Sequence, residues 1–167
     1  MSAHAEILAA LNAAGVRYLV VGGVAVVAHG HVRVTMDLDV VIQLERENVA
    51  RAMESLSRIG YQPFLPVPAM QFADPEIRHD WTTNRHMIVF QLWKPKGPQF
   101  RLDIFTTEPF DFEDAWKRRL ESTISGVMVP IVPLSELLAM KREAGRPKDL
   151  DDIRVLSAME EMRGGTP

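Results

Sequence analysis

The sequence predicts an α/β (α+β) fold, a small mixed β-sheet flanked by helices and followed by a C-terminal helical segment. Three observations point there. Short β-branched runs are interleaved with stretches of helical periodicity, rather than collected into separate blocks. Glycines follow several helical stretches, at Gly15, Gly30, Gly60 and Gly145, where C-terminal caps belong. A hydrophobic content of 47% over 167 residues is enough to build one core.

In chain order, residues 2–14 read as a helix, with Ile7, Leu8 and Leu11 at helical spacing. Residues 16–21 form a short β-branched strand ended by Gly22-Gly23, and 24–29 a short helix stopped by Gly30. Residues 37–44 are the next strand, and 45–59 a charged amphipathic helix. The stretch 61–78 carries four of the eleven prolines and reads as a connection winding over the surface. Strands at 86–93 and 100–106 flank the turn Lys94-Pro95-Lys96-Gly97-Pro98, whose charges keep the tip in water. Residues 120–132 add a hairpin turning near Gly126. Helices at 135–144 and 147–162 close the chain, with Ser135 expected as an N-cap and Pro147 in a first turn. The expected organisation is a core over 1–132 and a two-helix segment over 133–167 packed on it, one domain in all.

Composition removes several classes of function. With no cysteine there is no disulfide framework, no thiolate nucleophile and no cysteine-ligated metal. A net charge of −3 argues against a dedicated binder of long nucleic acid, though a local site can oppose the net sign. The first residues lack the basic and apolar regions of a signal peptide. The apolar stretch 18–28 is broken by Gly22-Gly23 and is too short to span a bilayer, so a soluble cytoplasmic protein is expected.

The chemistry-bearing stretch is 20–42. Asp37 and Asp39 sit two apart at the start of an apolar strand, so both carboxylates project to one side. Two like charges at the end of a buried strand repel each other and resist desolvation. A divalent ion removes that conflict, and hard oxygen ligands suit Mg2+ or Mn2+. An isolated Asp-x-Asp is more often a strand cap beside a solvated acid. Here, however, Gly22-Gly23 also offers a turn at which backbone N–H groups can approach a phosphate. Asp103 is a third charge inside a strand pattern. If its strand neighbours that of Asp37 and Asp39, the three acids converge. Such a set can hold two metal ions for an in-line phosphoryl displacement, with Asp103 placed to accept a hydroxyl proton.

Gly22-Gly23, then Arg33-x-Thr35-x-Asp37-Leu38-Asp39, then a strand-borne Asp103, resembles the DNA polymerase beta-type nucleotidyltransferase superfamily. Within it, the chain is similar to small bacterial members of the AbiEii toxin type and the lincosamide and aminoglycoside types. The stretch Lys141-Arg142-Glu143-Ala144-Gly145-Arg146-Pro147-Lys148-Asp149-Leu150-Asp151-Asp152-Ile153 is similar to a helical motif of those groups.

The resemblance implies a nucleotidyltransferase fold and transfer of a nucleoside monophosphate from a nucleoside triphosphate such as ATP to an acceptor hydroxyl, releasing pyrophosphate. Asp37, Asp39 and Asp103 correspond to the metal ligands and catalytic acids. Gly22 and Gly23 correspond to the triphosphate turn, with Arg33, Thr35, Lys141 and Lys148 as further nucleotide-binding candidates. The family often carries a serine where Gly23 or Val24 stands, and a polar residue where Met36 stands. The acceptor is left open between a small molecule, a protein and a tRNA. A homodimer or a partner chain could complete its pocket.

Each secondary candidate has a plainer reading beside it. Arg33 could pair with a surface acid, Lys148 with Asp152 at i,i+4, and Asp149 and Asp152 could orient the bases. Trp81, Arg85 and His86 could line an acceptor pocket, against core packing for Trp81. His29 and His31 read as two surface histidines. Two other functions stay open for the whole chain. One is a non-catalytic nucleotidyltransferase-like module of a toxin–antitoxin pair. The other is a magnesium-dependent phosphohydrolase, which would release phosphate rather than pyrophosphate.

Overall fold

The computed structural model describes residues 1–164, so the last three positions of the expected 133–167 segment lie outside the described residues. Its elements run α1 (Ala3–Ala13), β1 (Tyr18–Val21), α2 (Gly22–Ala28), β2 (Leu38–Ile42), α3 (Arg46–Arg58), β3 (Gln62–Pro63), a 3-10 turn (Ala69–Ala73) and α4 (Pro75–Asn84). They continue with β4 (Val89–Trp93), β5 (Arg101–Phe105), α5 (Phe112–Lys117), β6 (Leu120–Ile124), β7 (Val127–Ile131), α6 (Leu134–Ala144) and α7 (Pro147–Gly164).

One seven-stranded sheet, ordered β3-β4-β5-β2-β1-β7-β6, carries the fold, which is the expected mixed sheet flanked by helices. It is mixed. β2 pairs parallel with β5 and β1 parallel with β7, while the other neighbours are antiparallel. The central strands are the most apolar: Tyr18 to Val21 are all buried, as are Leu38, Val40, Val41 and Ile42. Such continuous burial is what strands covered on both faces require. Ile7, Leu8 and Leu11 of α1 and Val49, Ala52, Met53 and Leu56 of α3 join this core. So do Leu137, Leu138 and Leu156 of α6 and α7.

Two expectations are corrected, and one helix is added to those read from the sequence. The proline-rich stretch 61–78 does not simply wind over the surface. It contains β3, the 3-10 turn and the start of α4, and Phe72 is wholly buried, stacked on Phe90 at 4.8 Å. Asp74 caps α4 by accepting from Glu76 N at 2.9 Å, and Pro75 opens the helix, where a missing N–H costs nothing. Helix α5 was not expected either; Asp111 caps it, accepting from Asp114 N at 3.0 Å. Ser135 is not an N-cap. Helix α6 starts at Leu134 after Pro133, and the Ser135 hydroxyl donates to Glu136 instead.

No helix among the described residues is long and apolar enough to cross a membrane.

Candidate active site

The site forms where β1 ends and β2 begins. These strands are antiparallel with Val21 opposite Asp39, so the first residue after β1 arrives directly over the Asp39 carboxylate. That residue is Gly22, at φ +64, and a Cβ there would lie 2.3 Å from Asp39 Oδ2. Only glycine fits, both for its left-handed backbone and for the space. At Gly23 a Cβ would lie 2.4 Å from Thr35 Oγ1 and 3.3 Å from Arg33 Nη2. The glycine pair is therefore packed against three of the candidate side chains at once.

The third acid arrives through the parallel pairing of β2 and β5, whose register sets Asp39 beside Asp103 and Leu38 beside Leu102. Neighbouring strands lie about 4.8 Å apart, so paired residues on one face are in close electrostatic contact. Asp37 was expected inside the strand but sits in a bend just before it, since β2 starts at Leu38. Its carboxylate accepts from Arg101 Nη2 at 3.3 Å. At the other end the strand stops at Ile42 rather than 44. Leu44 N instead donates to Glu108 Oε1 at 2.7 Å.

The electrostatics follow from this crowding. Burial first, and then the carboxylates of Asp103 and Asp37, push the Asp39 pKa up to about 6, against the opposing pull of Lys141 and Arg146. Asp103 is also raised, by burial and then by Asp37, with Gln91 and Arg101 acting the other way. Asp103 Oδ1 is buried and accepts no hydrogen bond. A buried carboxylate oxygen without a donor is costly, and a hard cation is the partner its chemistry suits. Among the described residues, no three or more His, Asp or Glu side chains form a ready metal cage.

The other candidates meet in an ion network from the C-terminal helices. Arg33 donates through Nε and Nη2 to Asp152 at 2.8 and 3.0 Å, and Asp152 is 1% exposed. Lys141 Nζ lies 3.0 Å from both Asp149 Oδ1 and Asp152 Oδ2. Arg146 Nε reaches Asp149 Oδ2 at 2.6 Å. Burial opposes ionisation of Asp149, but hydrogen bonds from Arg146 and Lys141 outweigh it and hold the carboxyl at about 2. Arg33 thus pairs with a buried acid, not a surface one, and the Lys148–Asp152 pair does not form. Lys148 is exposed and makes no ion pair among the described residues.

Several candidates are placed elsewhere. Trp81 is buried and stacked on Phe90 at 5.3 Å, so it packs the core. His29 Nε2 lies 2.8 Å from Val132 O, whereas His31, largely buried rather than on the surface, borders the ion network with Nε2 3.7 Å from Asp152. Sequence reasoning missed Arg101 and Gln91. Arg101 shares a strand face with Asp103, a signal that the two-residue spacing already carried. Gln91 enters only through the antiparallel register of β4 on β5, which sets it opposite Asp103.

The glycine turn over Asp39, with Asp103 on the parallel neighbour and Asp37 just before β2, is the arrangement that the resemblance to nucleotidyltransferases implies. Residues 2–162 match the family described as nucleotidyltransferases of unknown function (DUF6036), and the chain belongs to that family. No curated protein matches it in sequence. The structure is similar to that of the lincosamide antibiotic adenylyltransferase LnuA bound to lincomycin, with a TM-score of 0.57 and 18% identity over 90% of this chain and 92% of that one. It is also similar to ANT(2'')-Ia in complex with adenylyl-2''-tobramycin, at 0.59 and 16% over 92% and 85%. A third neighbour is an antigenic nucleotidyltransferase-like protein from Paracoccidioides brasiliensis, at 0.54 and 17% over 95% and 78%. At these identities the likeness is one of fold.

Proposed function

We propose that the chain transfers a nucleoside monophosphate from a nucleoside triphosphate to an acceptor hydroxyl and releases pyrophosphate, in a metal-dependent reaction. The observation that carries this reading is the Asp39–Asp103 pairing across β2 and β5, with a buried Asp103 oxygen left without a donor. Asp37, Asp39 and Asp103 are the residues that would hold Mg2+ or Mn2+. When bound, such ions neutralise the carboxylates and the charge that develops on the phosphoryl group.

The chain's own residues supply the rest. Gly22 and Gly23 let the backbone approach the triphosphate, and Thr35 and Arg33 border that turn. Arg33, Lys141 and Arg146 outnumber Asp149 and Asp152 by one charge and leave a net positive network beside Asp39, with exposed Lys148 as a further contact for the outer phosphates. Asp103 accepts the proton of the acceptor hydroxyl as its oxygen attacks the α-phosphorus. The bond from the α-phosphorus to the bridging oxygen then breaks, and pyrophosphate leaves. Residues 1–132 act as the catalytic core, and the two C-terminal helices, α6 and α7, support it.

The neighbours named as adenylyltransferase or holding an adenylyl product favour ATP as donor and a small hydroxylated molecule as acceptor; a protein or a tRNA is the other acceptor class. A nucleoside triphosphate donor fits a cytoplasmic setting. The test is incubation with labelled nucleoside triphosphates, Mg2+ and fractions of cellular metabolites, protein and RNA. Label should pass to one fraction with stoichiometric pyrophosphate, and Asp37→Ala should abolish it. Release of phosphate alone would establish a hydrolase instead. Failure of the wild type to bind nucleotide and metal at millimolar concentration would leave only a binding module.

A further inference from the structure

We propose that Arg101 is a built-in counter-ion of the site, neutralising Asp37 in the protein alone and exchanging that partner for phosphate oxygens of the incoming nucleotide. This rests on the nucleotidyl-transfer reading and adds to it a residue that handles the triphosphate's charge. Arg101 opens β5 two residues before Asp103. Leu102 and Ile104 point into the core at 0% exposure, so Arg101 and Asp103 share the opposite face.

What sets Arg101 apart is how loosely it is held. Its contact to Asp37 is a single one at 3.3 Å, with side chains 54% and 40% exposed. An ion pair that exposed contributes little to stability and exchanges readily. The neighbouring cations are bound differently. Arg33 is gripped through two nitrogens by buried Asp152, Lys141 is shared by two buried acids, and Arg146 is anchored to Asp149 at 2.6 Å. Those three are fixtures, while Arg101 is free to change partner. A guanidinium suits that exchange, because its planar fork matches phosphate oxygens as well as carboxylate.

Two ligands should then respond to Arg101 in opposite directions. A cation competes with Arg101 for Asp37, whereas a polyphosphate is attracted by it. The test measures Mn2+ binding from the electron paramagnetic resonance of free Mn2+. It also measures inorganic tripolyphosphate binding by calorimetry in EDTA, for the wild type, Arg101→Met, Arg101→Lys and Asp37→Ala. Circular dichroism melts check that each variant is folded.

Arg101→Met should bind Mn2+ about fivefold tighter and tripolyphosphate about fivefold weaker, the scale of one half-exposed charge at contact distance. Arg101→Lys, which keeps the charge without the fork, should stay near the wild type for Mn2+ and fall between the wild type and Arg101→Met for tripolyphosphate. If both affinities move in the same direction, or neither moves, the proposal is overturned. If Mn2+ binding depends on Asp37 yet ignores Arg101→Met, the counter-ion role alone falls. If no variant shows Asp37-dependent Mn2+ binding, the metal-dependent reading of the site falls with it.

Discussion

Replacing Asp39 with asparagine should make the protein more stable while removing a carboxylate that the proposed reaction uses. Burial, then Asp103 and Asp37, raise the pKa of this acid from 3.8 to about 6. The folded chain therefore holds a proton on Asp39 at pH values where the unfolded chain has released it. With the folded pKa above the unfolded one, the acid costs nothing below pH 3.8. The cost grows as pH rises through the window to about 6 and is constant above it. At about 1.36 kcal/mol per pH unit, that interval amounts to about 3 kcal/mol. Asparagine keeps the shape and cannot ionise. Urea unfolding in EDTA should show Asp39→Asn ahead of the wild type by about 3 kcal/mol at pH 8, the two converging near pH 4. Parallel stability profiles from pH 4 to pH 8 would refute the idea that burial and the neighbouring carboxylates penalise ionised Asp39.

Two further substitutions probe the frame around the acids. Gly22→Ala places a Cβ 2.3 Å from Asp39 Oδ2 at a φ of +64. It should cost at least about 2 kcal/mol in thermal unfolding, from left-handed strain and overpacking together. The displaced carboxylate should lower turnover about a hundredfold, and a variant with wild-type kinetics would contradict the packing described for the turn. Asp152→Asn breaks the paired contacts to Arg33 and Lys141 inside a buried network. Because Lys141 keeps Asp149, the expected loss is about 3 kcal/mol, the lower end for a broken buried pair. Chemical denaturation reading under 1 kcal/mol would show that Arg33 and Lys141 find other partners.

How legible all this was in the sequence depended on whether a signal was local. β1, β2, β4 and β5 were readable because their β-branched runs are bounded by turn residues, and α1 and α3 because their apolar positions repeat at helical spacing. Asp74-Pro75 is a local helix-start signal too, yet it was obscured by the prolines before it. The three acids and the glycine pair could be named individually, but their convergence depends on β2 lying beside β5, 64 residues along the chain in register. No local pattern encodes that neighbour relation. The same holds for the Arg33–Asp152 contact. Sequence offered either a phosphate or a surface acid for Arg33, and the buried acid that binds it lies on the last helix.

That contact also orders events in time. Arg33 and Asp152 are 119 positions apart, and Arg33 borders the turn at Gly23. During synthesis at about 5–20 residues per second, β1 and β2 leave the ribosome well before α7 exists. Until Asp152 emerges, Arg33 lacks the carboxylate that holds it, and Lys141 lacks one of its two anions. The polypeptide can pair β1 with β2 early, but its charge arrangement is finished last. A nascent chain with all three acids already made is thus still an incompletely wired one.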